Sequence, residues 1–279
     1  QIRSHPVTSY TGLFDLAKKV AVVTGGAGFL GKHFCRGLAE AGASVVVVDI
    51  TATEVSAIVA EINEKRPGRA LGVVADVTQP AEVQKITADA VSHFGRIDIL
   101  LNNAAGKGRD LDQYFAPFEE YSLEQWREVM AINIDAMFLM AQAVGRQMLK
   151  QEDGGSIIQT SSAYGIMGPD NRIYEDSWYL NRQINTPAVY STSKAAVVGL
   201  TKFLATYWAK NNIRVNALVP GGTESGQNEI FQQRYGARIP LGRMANAPEI
   251  VGAVLYLASD AASYVTGHCL VVDGGLNAW

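Results

Sequence analysis

The sequence predicts an α/β fold: a Rossmann-type, doubly wound parallel sheet of seven strands, with helices on both faces, in a single domain. Three observations predict it. Short Val/Ile/Leu runs alternate with amphipathic stretches along most of the 279 residues. The runs are continuously apolar, as strands buried on both faces are. A glycine-rich turn joins the first run to the first helical stretch, which is the opening unit of such folds.

Taken in order, Val20–Thr24 reads as the first strand, followed by 44–50, 70–75, 97–102, 156–160, 213–218 and Cys269–Val272. Between them, helical periodicity covers 29–41, 53–65, Pro80–Phe94, 123–149, 188–211 and 248–258. Pro248 and Glu249 look like the first turn of the last helix. Seven strands alternating with six helices imply βαβ units. Two stretches, 163–187 and 221–240, show no clear period. Each follows a strand whose carboxyl end opens on the ligand crevice of such a sheet, so both are candidate substrate walls. Residues 1–15 are set aside as an N-terminal extension that begins with Gln rather than Met. The expected domain is 16–279, with a substrate-side insertion at 163–187.

Composition narrows the function classes. Apolar residues make up 48% and charged residues 18%, enough for a core. A net charge of −3 offers neither a nucleic-acid surface nor a polybasic membrane anchor. No uninterrupted apolar run reaches the roughly 18 residues of a membrane span. Cys35 and Cys269 form no CxxC pair, which fits a reducing, cytoplasmic setting. His5, His33, His93 and His268 lack metal-ligand spacing, so no metal is expected.

The run Thr24-Gly25-Gly26-Ala27-Gly28-Phe29-Leu30-Gly31 follows the first strand directly and opens the first helix. Side chains at its glycines would block the tight turn and a pyrophosphate's approach to the backbone. The helix behind it presents unpaired N–H groups and a positive dipole end. Asp49 ends the second strand 18 positions beyond Gly31, near the usual spacing for an acid that accepts from ribose hydroxyls. That carboxylate repels a 2′-phosphate, and no Arg or Lys lies within 24–31 or 45–53 to compensate. The expectation is NAD rather than NADP; the plain alternative for Asp49 is a helix N-cap.

Tyr190 and Lys194 lie one helical turn apart on one face. A lysine ammonium about 4 Å from a phenol contributes on the order of 4 kcal/mol at an effective dielectric of 20. The expectation is therefore a tyrosine made acidic enough to exchange a proton with an alcohol. Ser161 and Ser162 end the fifth strand at the sheet edge, and Asn133 lies in the long helix before it. Alone, these read equally as a strand-end turn and a buried amide.

As a set, these residues resemble the short-chain dehydrogenases/reductases, from about Val20 to Gly275. The similarity includes the 24–31 loop, Asp76-Val77, Asn102-Asn103-Ala104, Asn133 and Ser161-Ser162. It continues through Tyr190-Ser191-Thr192-Ser193-Lys194, Pro220-Gly221 and Val272-Asp273-Gly274-Gly275. The resemblance implies that Tyr190 is the acid/base and that Ser162, the second serine of the pair, holds the substrate oxygen. It implies that Lys194 binds the nicotinamide ribose and that Asn133 supports a water leading protons to it. Gly25, Gly28, Phe29, Leu30 and Gly31 would cradle the dinucleotide. Asp76 and Val77 would face the adenine, Asn102 and Ala104 would flank the ribose, and Gly222 and Thr223 would lie near the carboxamide. A homotetramer or homodimer is implied as well.

Two features depart from the family's short form. Phe29 replaces a glycine, and the Gly25-x-x-Gly28-x-x-Gly31 spacing is similar to the longer branch that modifies sugar nucleotides. The Asp-Gly-Gly strand, however, ends four residues before Trp279, leaving no room for that branch's extra domain. Ser162 and Tyr190 are 28 positions apart, about twice the family's usual separation. The excess, 168–186, is expected to form a polar and aromatic wall for a hydroxyl-rich or anionic substrate such as a sugar, sugar acid or polyol. Arg172 or Arg182 would offer a carboxylate contact there. The alternatives are a 3-oxoacyl-thioester or other ketone reductase, epimerase or dehydratase chemistry, and a non-catalytic NAD-binding module.

Overall fold

The computed structural model describes residues 9–151, 153–179 and 181–279. The first eight residues of the expected N-terminal extension, His5 among them, lie outside the described residues. All seven expected strands are present: β1 (Val20–Thr24), β2 (Ser44–Asp49), β3 (Ala70–Val74), β4 (Ile99–Asn102), β5 (Gly155–Thr160), β8 (Ile213–Pro220) and β9 (Cys269–Val272). They form one parallel sheet in the order β3-β2-β1-β4-β5-β8-β9. A two-residue hairpin, β6 (Trp178–Tyr179) with β7 (Arg182–Gln183), lies apart inside the insertion.

The apolar runs are continuous because both sheet faces are covered. On one face Val20, Val22, Val46 and Val48 join Met140, Val144, Met148 and Trp208. On the other, Ala21, Val23, Val45 and Val47 join Phe34, Leu38, Val55, Ile58, Ile250 and Val254. Those partners lie on α1 (Gly31–Glu40), α2 (Ala52–Lys65), α6 (Ala136–Met148), α7 (Ala188–Trp208) and α9 (Ala247–Ala258), with α3 (Pro80–Phe94) packed on the first face. Their ends carry ordinary stop and start signals. Pro80 opens α3 and Gly95, at φ +82°, closes it; Asn246 and Glu249 form a capping box on α9.

The expected long helix is α5 (Leu123–Met130) continued into α6 through a π turn, Ala131–Asp135. Together, Leu123–Met148 is the one helix among the described residues long and apolar enough to cross a membrane. Half of its most apolar stretch is buried inside the fold, with Met140, Val144 and Met148 in the core. Two helices escaped the sequence reading: α4 (Leu111–Tyr114), and α8 (Glu229–Gly236) within the unpatterned 221–240 stretch. Asn228 caps α8 through its side chain, and Phe231 and Tyr235 make its buried face.

β1 and β4 are neighbours, so the chain's progression across the sheet reverses between them and their carboxyl ends diverge. The crevice of a doubly wound sheet opens at that point.

Candidate active site

A cleft of about 1000 Å³ runs over the carboxyl ends of the strands, from the glycine loop to the insertion. In its first half, Gly25 holds φ +61°, and a Cβ there would sit 2.9 Å from Ala104 Cα. A Cβ on Gly31 would sit 1.9 Å from the Gly25 carbonyl oxygen. At Gly28 only the Gly25 oxygen, at 3.2 Å, lies near the missing side chain. The loop therefore folds tightly on itself at Gly25 and Gly31 and stays open toward the cleft at Gly28. That cradle, at the N-terminus of α1, fits a pyrophosphate.

Phe29, Leu30, Asp49, Asp76, Val77 and Ala104 line the same half. Asp49 is fixed by its own backbone surroundings: Oδ2 accepts from the Ala27 amide at 3.2 Å and Oδ1 from the Ile50 amide at 2.8 Å. Asp76 accepts from the amide and hydroxyl of Thr78. Two expected cofactor contacts do not face the cleft. Gly31 lies behind it, where its lack of a side chain lets α1 start against Gly25. Asn102 is buried, and its side-chain amide donates to Met137 O and Gln159 Oε1, both at 2.9 Å. Its side chain ties β4 to β5 and α6; its neighbour Asn103 lines the cleft instead.

In the second half, α7 starts after Pro187 and carries Tyr190 and Lys194 on the cleft wall. Lys194 Nζ donates to Thr160 O at 3.0 Å and stands 5.9 Å from the Tyr190 ring centre. The two strand-end serines diverge in use. Ser161 Oγ donates to the Lys194 carbonyl at 2.6 Å, fastening α7 to β5. Ser162 Oγ accepts from the Tyr164 amide at 3.2 Å and lines the cleft with Tyr190. Asn133, fully buried in the π turn, accepts from Gly106 N at 2.9 Å and donates to Ser193 Oγ at 3.2 Å. It joins the loop after β4 to α7 one residue before Lys194, and its side chain does not reach the cleft.

The ionisation expected for Tyr190 needs correction. Burial pushes its pKa above the usual phenol range, the Ser162 hydrogen bond pulls it down, and Tyr174 nearby adds to the rise. Burial likewise pushes Lys194 down to about 8. The expectation places the lysine ammonium about 4 Å from the phenol; Nζ stands 5.9 Å from the ring centre. Here burial raises the pKa of the phenol and lowers that of the ammonium, and the ammonium is turned toward Thr160 O.

The insertion does border the cleft, through Tyr174, Trp178, Ile184, Asn185 and Thr186. Its arginines do not. Arg172 points to solvent and pairs with Asp170 at 2.7 Å, while Arg182 pairs with Asp112 across the mouth. Asn185 Nδ2 donates to Phe115 O at 2.9 Å and makes a second tie to that wall. Lys107, unnoticed in the sequence, lines the cleft instead, with Nζ 5.6 Å from the Phe115 ring centre. Burial lowers its pKa. Gly222 and Thr223 border this half, and the Gly222 amide donates to Tyr235 Oη at 2.8 Å. Among the described residues no group of three or more His, Cys, Asp or Glu is placed to hold a metal.

A family profile described as enoyl-(acyl carrier protein) reductase matches residues 26–277. D-threitol dehydrogenase of Mycolicibacterium smegmatis is 38% identical over 267 residues, covering 94% of each chain. A 3-oxoacyl-[acyl-carrier-protein] reductase of Thermotoga maritima is 36% identical, covering 94% of this chain and 98% of its own. A gluconate 5-dehydrogenase structure from Burkholderia cenocepacia, in complex with NADP and tartrate, superposes with a TM-score of 0.82. It is 32% identical, covering 95% of this chain and 98% of that one. Fold, cleft and relatives together define a nicotinamide-dependent oxidoreductase of the Rossmann class. Within that class, the chain belongs to the short-chain dehydrogenases/reductases.

Proposed function

We propose that this chain interconverts a secondary alcohol and a ketone on a polar small molecule (a sugar, sugar acid or polyol), using NAD(H), with Tyr190 as acid/base. One observation carries the reading. Ser162, Tyr190 and Lys194 all line the cleft that also holds the glycine cradle, with Lys194 one helical turn beyond Tyr190 on α7. The bound nicotinamide supplies the hydride acceptor or donor. Ser162 orients the substrate oxygen by hydrogen bonding. In oxidation the Tyr190 phenolate takes the alcohol proton as the carbonyl forms; in reduction the phenol returns it. Lys194 holds positive charge behind the phenol and, through Thr160 O, stays fixed to β5. Asn133 positions the helix segment carrying Lys194. Should the substrate carry a carboxylate, Lys107 rather than Arg172 or Arg182 stands on the cleft wall to meet it.

The screen that tests this reading measures reduced-cofactor formation over polyols, sugars, sugar acids and hydroxyacyl thioesters, with NAD⁺ and NADP⁺ in parallel. Turnover of the hydroxylated compounds with NAD⁺ supports it. Turnover of hydroxyacyl thioesters alone, with NADP⁺, replaces it by the thioester-reductase reading.

NAD preference rests on Asp49, since the gluconate 5-dehydrogenase relative holds NADP. Asp49 lines the cleft beside Ile50, Val77 and Thr78, none of them cationic. Asp49→Ser is expected to move the NAD⁺/NADP⁺ ratio of kcat/KM toward NADP⁺ by about tenfold, the worth of removing one close charge repulsion. An unmoved ratio counts against the assignment.

The raised pKa of Tyr190 fixes a pH sign. The phenolate is the base for oxidation, so log kcat/KM for the alcohol rises with pH through the neutral and alkaline range. Ketone reduction needs the phenol and declines only where the phenol ionises. Steady-state pH profiles in both directions check this; an oxidation profile that falls between neutral and alkaline pH contradicts it.

The same reading extends to the molecule's setting. Residues 16–279 form one catalytic domain with its insertion at 163–187. Phe138, Phe203 and Tyr207, exposed on α6 and α7, suit a homotetramer or homodimer packed through those helices.

A further inference from the structure

Beside Tyr190, four more phenols line the cleft: Tyr114 on α4, and three that gather in one aromatic cluster, each from a different element. Tyr164 follows the Ser162 turn, Tyr174 ends the 3-10 turn Asn171–Tyr174 of the insertion, and Tyr235 lies on α8. All three are more than nine-tenths buried. Their hydroxyls are polar atoms in an otherwise apolar cluster with Ile173, Phe231, Ile239 and Met244. Tyr235 Oη accepts from the Gly222 amide, and Tyr174 Oη bonds Thr186 Oγ1. Tyr164 Oη is buried without a partner of good geometry, as is Asn185 Oδ1 on the same wall. Behind Tyr164 and Tyr174 stands Arg238, its Nε 3.3 Å from Asp170.

An apolar substrate would leave Tyr164 Oη and Asn185 Oδ1 unsatisfied, which is costly in a buried site, and would leave unused the second hydrogen-bonding site of Tyr174 and Tyr235. Hydroxyls on the substrate would satisfy them, because a neutral phenol both donates and accepts. Burial keeps the phenols neutral: all three are pushed above the usual range, Tyr235 to about 12. Tyr174 is close enough to Tyr190 to affect its ionisation. Tyr190 packs against the cluster that holds Tyr174, and both line the cleft, which puts the hydroxyls Tyr174 would meet near the reacting carbon.

We infer that Tyr164, Tyr174 and Tyr235 form a hydroxyl-recognition subsite that selects vicinal diols and longer polyols, with Tyr174 of the insertion as its specificity-determining residue. The inference rests on the alcohol–ketone reading above and names the substrate class within it.

The test compares meso-2,3-butanediol with 2-butanol as substrates of the full chain with NAD⁺. The two differ by the one neighbouring hydroxyl. Wild-type kcat/KM is expected to favour the diol by about tenfold or more, the range of one or two hydrogen bonds. Tyr174→Phe is expected to lower the diol/2-butanol ratio by about tenfold, through loss of one such bond. A wild-type enzyme that does not distinguish the two alcohols overturns the subsite, as does a Tyr174→Phe enzyme with an unchanged ratio. If that variant fails to fold, the wild-type ratio decides. Absence of reduced cofactor with both alcohols and with every compound of the screen above overturns the alcohol–ketone reading itself.

Discussion

Tyr190→Phe is expected to lower kcat for alcohol oxidation by about a thousandfold, the middle of the range for a general acid–base group. Dinucleotide affinity should stay within about threefold, because the ring remains and the glycine cradle is about a cleft's length away. The substitution removes one oxygen and leaves the packing of α7 against the aromatic cluster. Steady-state turnover alongside NADH fluorescence titration checks both halves. A variant with near wild-type turnover would remove Tyr190 from the mechanism. A variant that loses dinucleotide binding as well would show that the tyrosine is structural. The same measurement separates an enzyme from a non-catalytic NAD-binding module, in which the substitution changes nothing.

Gly31→Ala should be the most damaging single methyl in the glycine loop. Its Cβ would lie 1.9 Å from the Gly25 carbonyl oxygen, 2.8 Å from the Gly25 carbonyl carbon and 2.9 Å from Gly26 Cα. All three are backbone atoms of a turn pinned by Gly26 N to Val48 O and Gly28 N to Gly25 O, so no side-chain rotation relieves the clash. Either the loop opens or α1 shifts off β1. Overpacking of this kind costs about 1–3 kcal/mol, and the backbone contact puts it at the upper end. Displacing the loop also moves the amides that face the pyrophosphate, so NAD(H) affinity should fall by more than about tenfold. Denaturant unfolding and cofactor titration check the two effects. Gly28→Ala is the control, since its Cβ meets only one protein atom, at 3.2 Å. It should unfold much as wild type does and lose affinity mainly through contact with the ligand.

Seven strands and six main helices were legible because each lies in a long apolar run or a clear amphipathic period, and both sheet faces are covered. The glycine loop, Asp49 and the Ser162/Tyr190/Lys194 set were legible as candidates because spacing along one strand or one helix fixes which face a residue occupies. What spacing could not convey was the third dimension. Asn102 is a cleft residue by the family resemblance, yet β4 turns its side chain inward to Gln159. Arg172 and Arg182 sit in the right segment, but Asp170 and Asp112 lie near enough to pair with them outside the cleft. The charge state of Tyr190 failed for a related reason: desolvation depends on packing from the insertion and α8, which sequence distance does not reveal. The α8 helix had its own signal in Asn228-Glu229 followed by Phe231 and Tyr235, hidden in a short, polar stretch.

A structure of the chain with NAD⁺ and a bound polyol bears on the proposed chemistry without an intervening inference. The expected result places the substrate oxygen within about 3 Å of both the Tyr190 and Ser162 hydroxyls, with the nicotinamide ring against the same carbon. A dinucleotide whose nicotinamide end lies away from residue 190, or a polyol held with no contact to that hydroxyl, would contradict it.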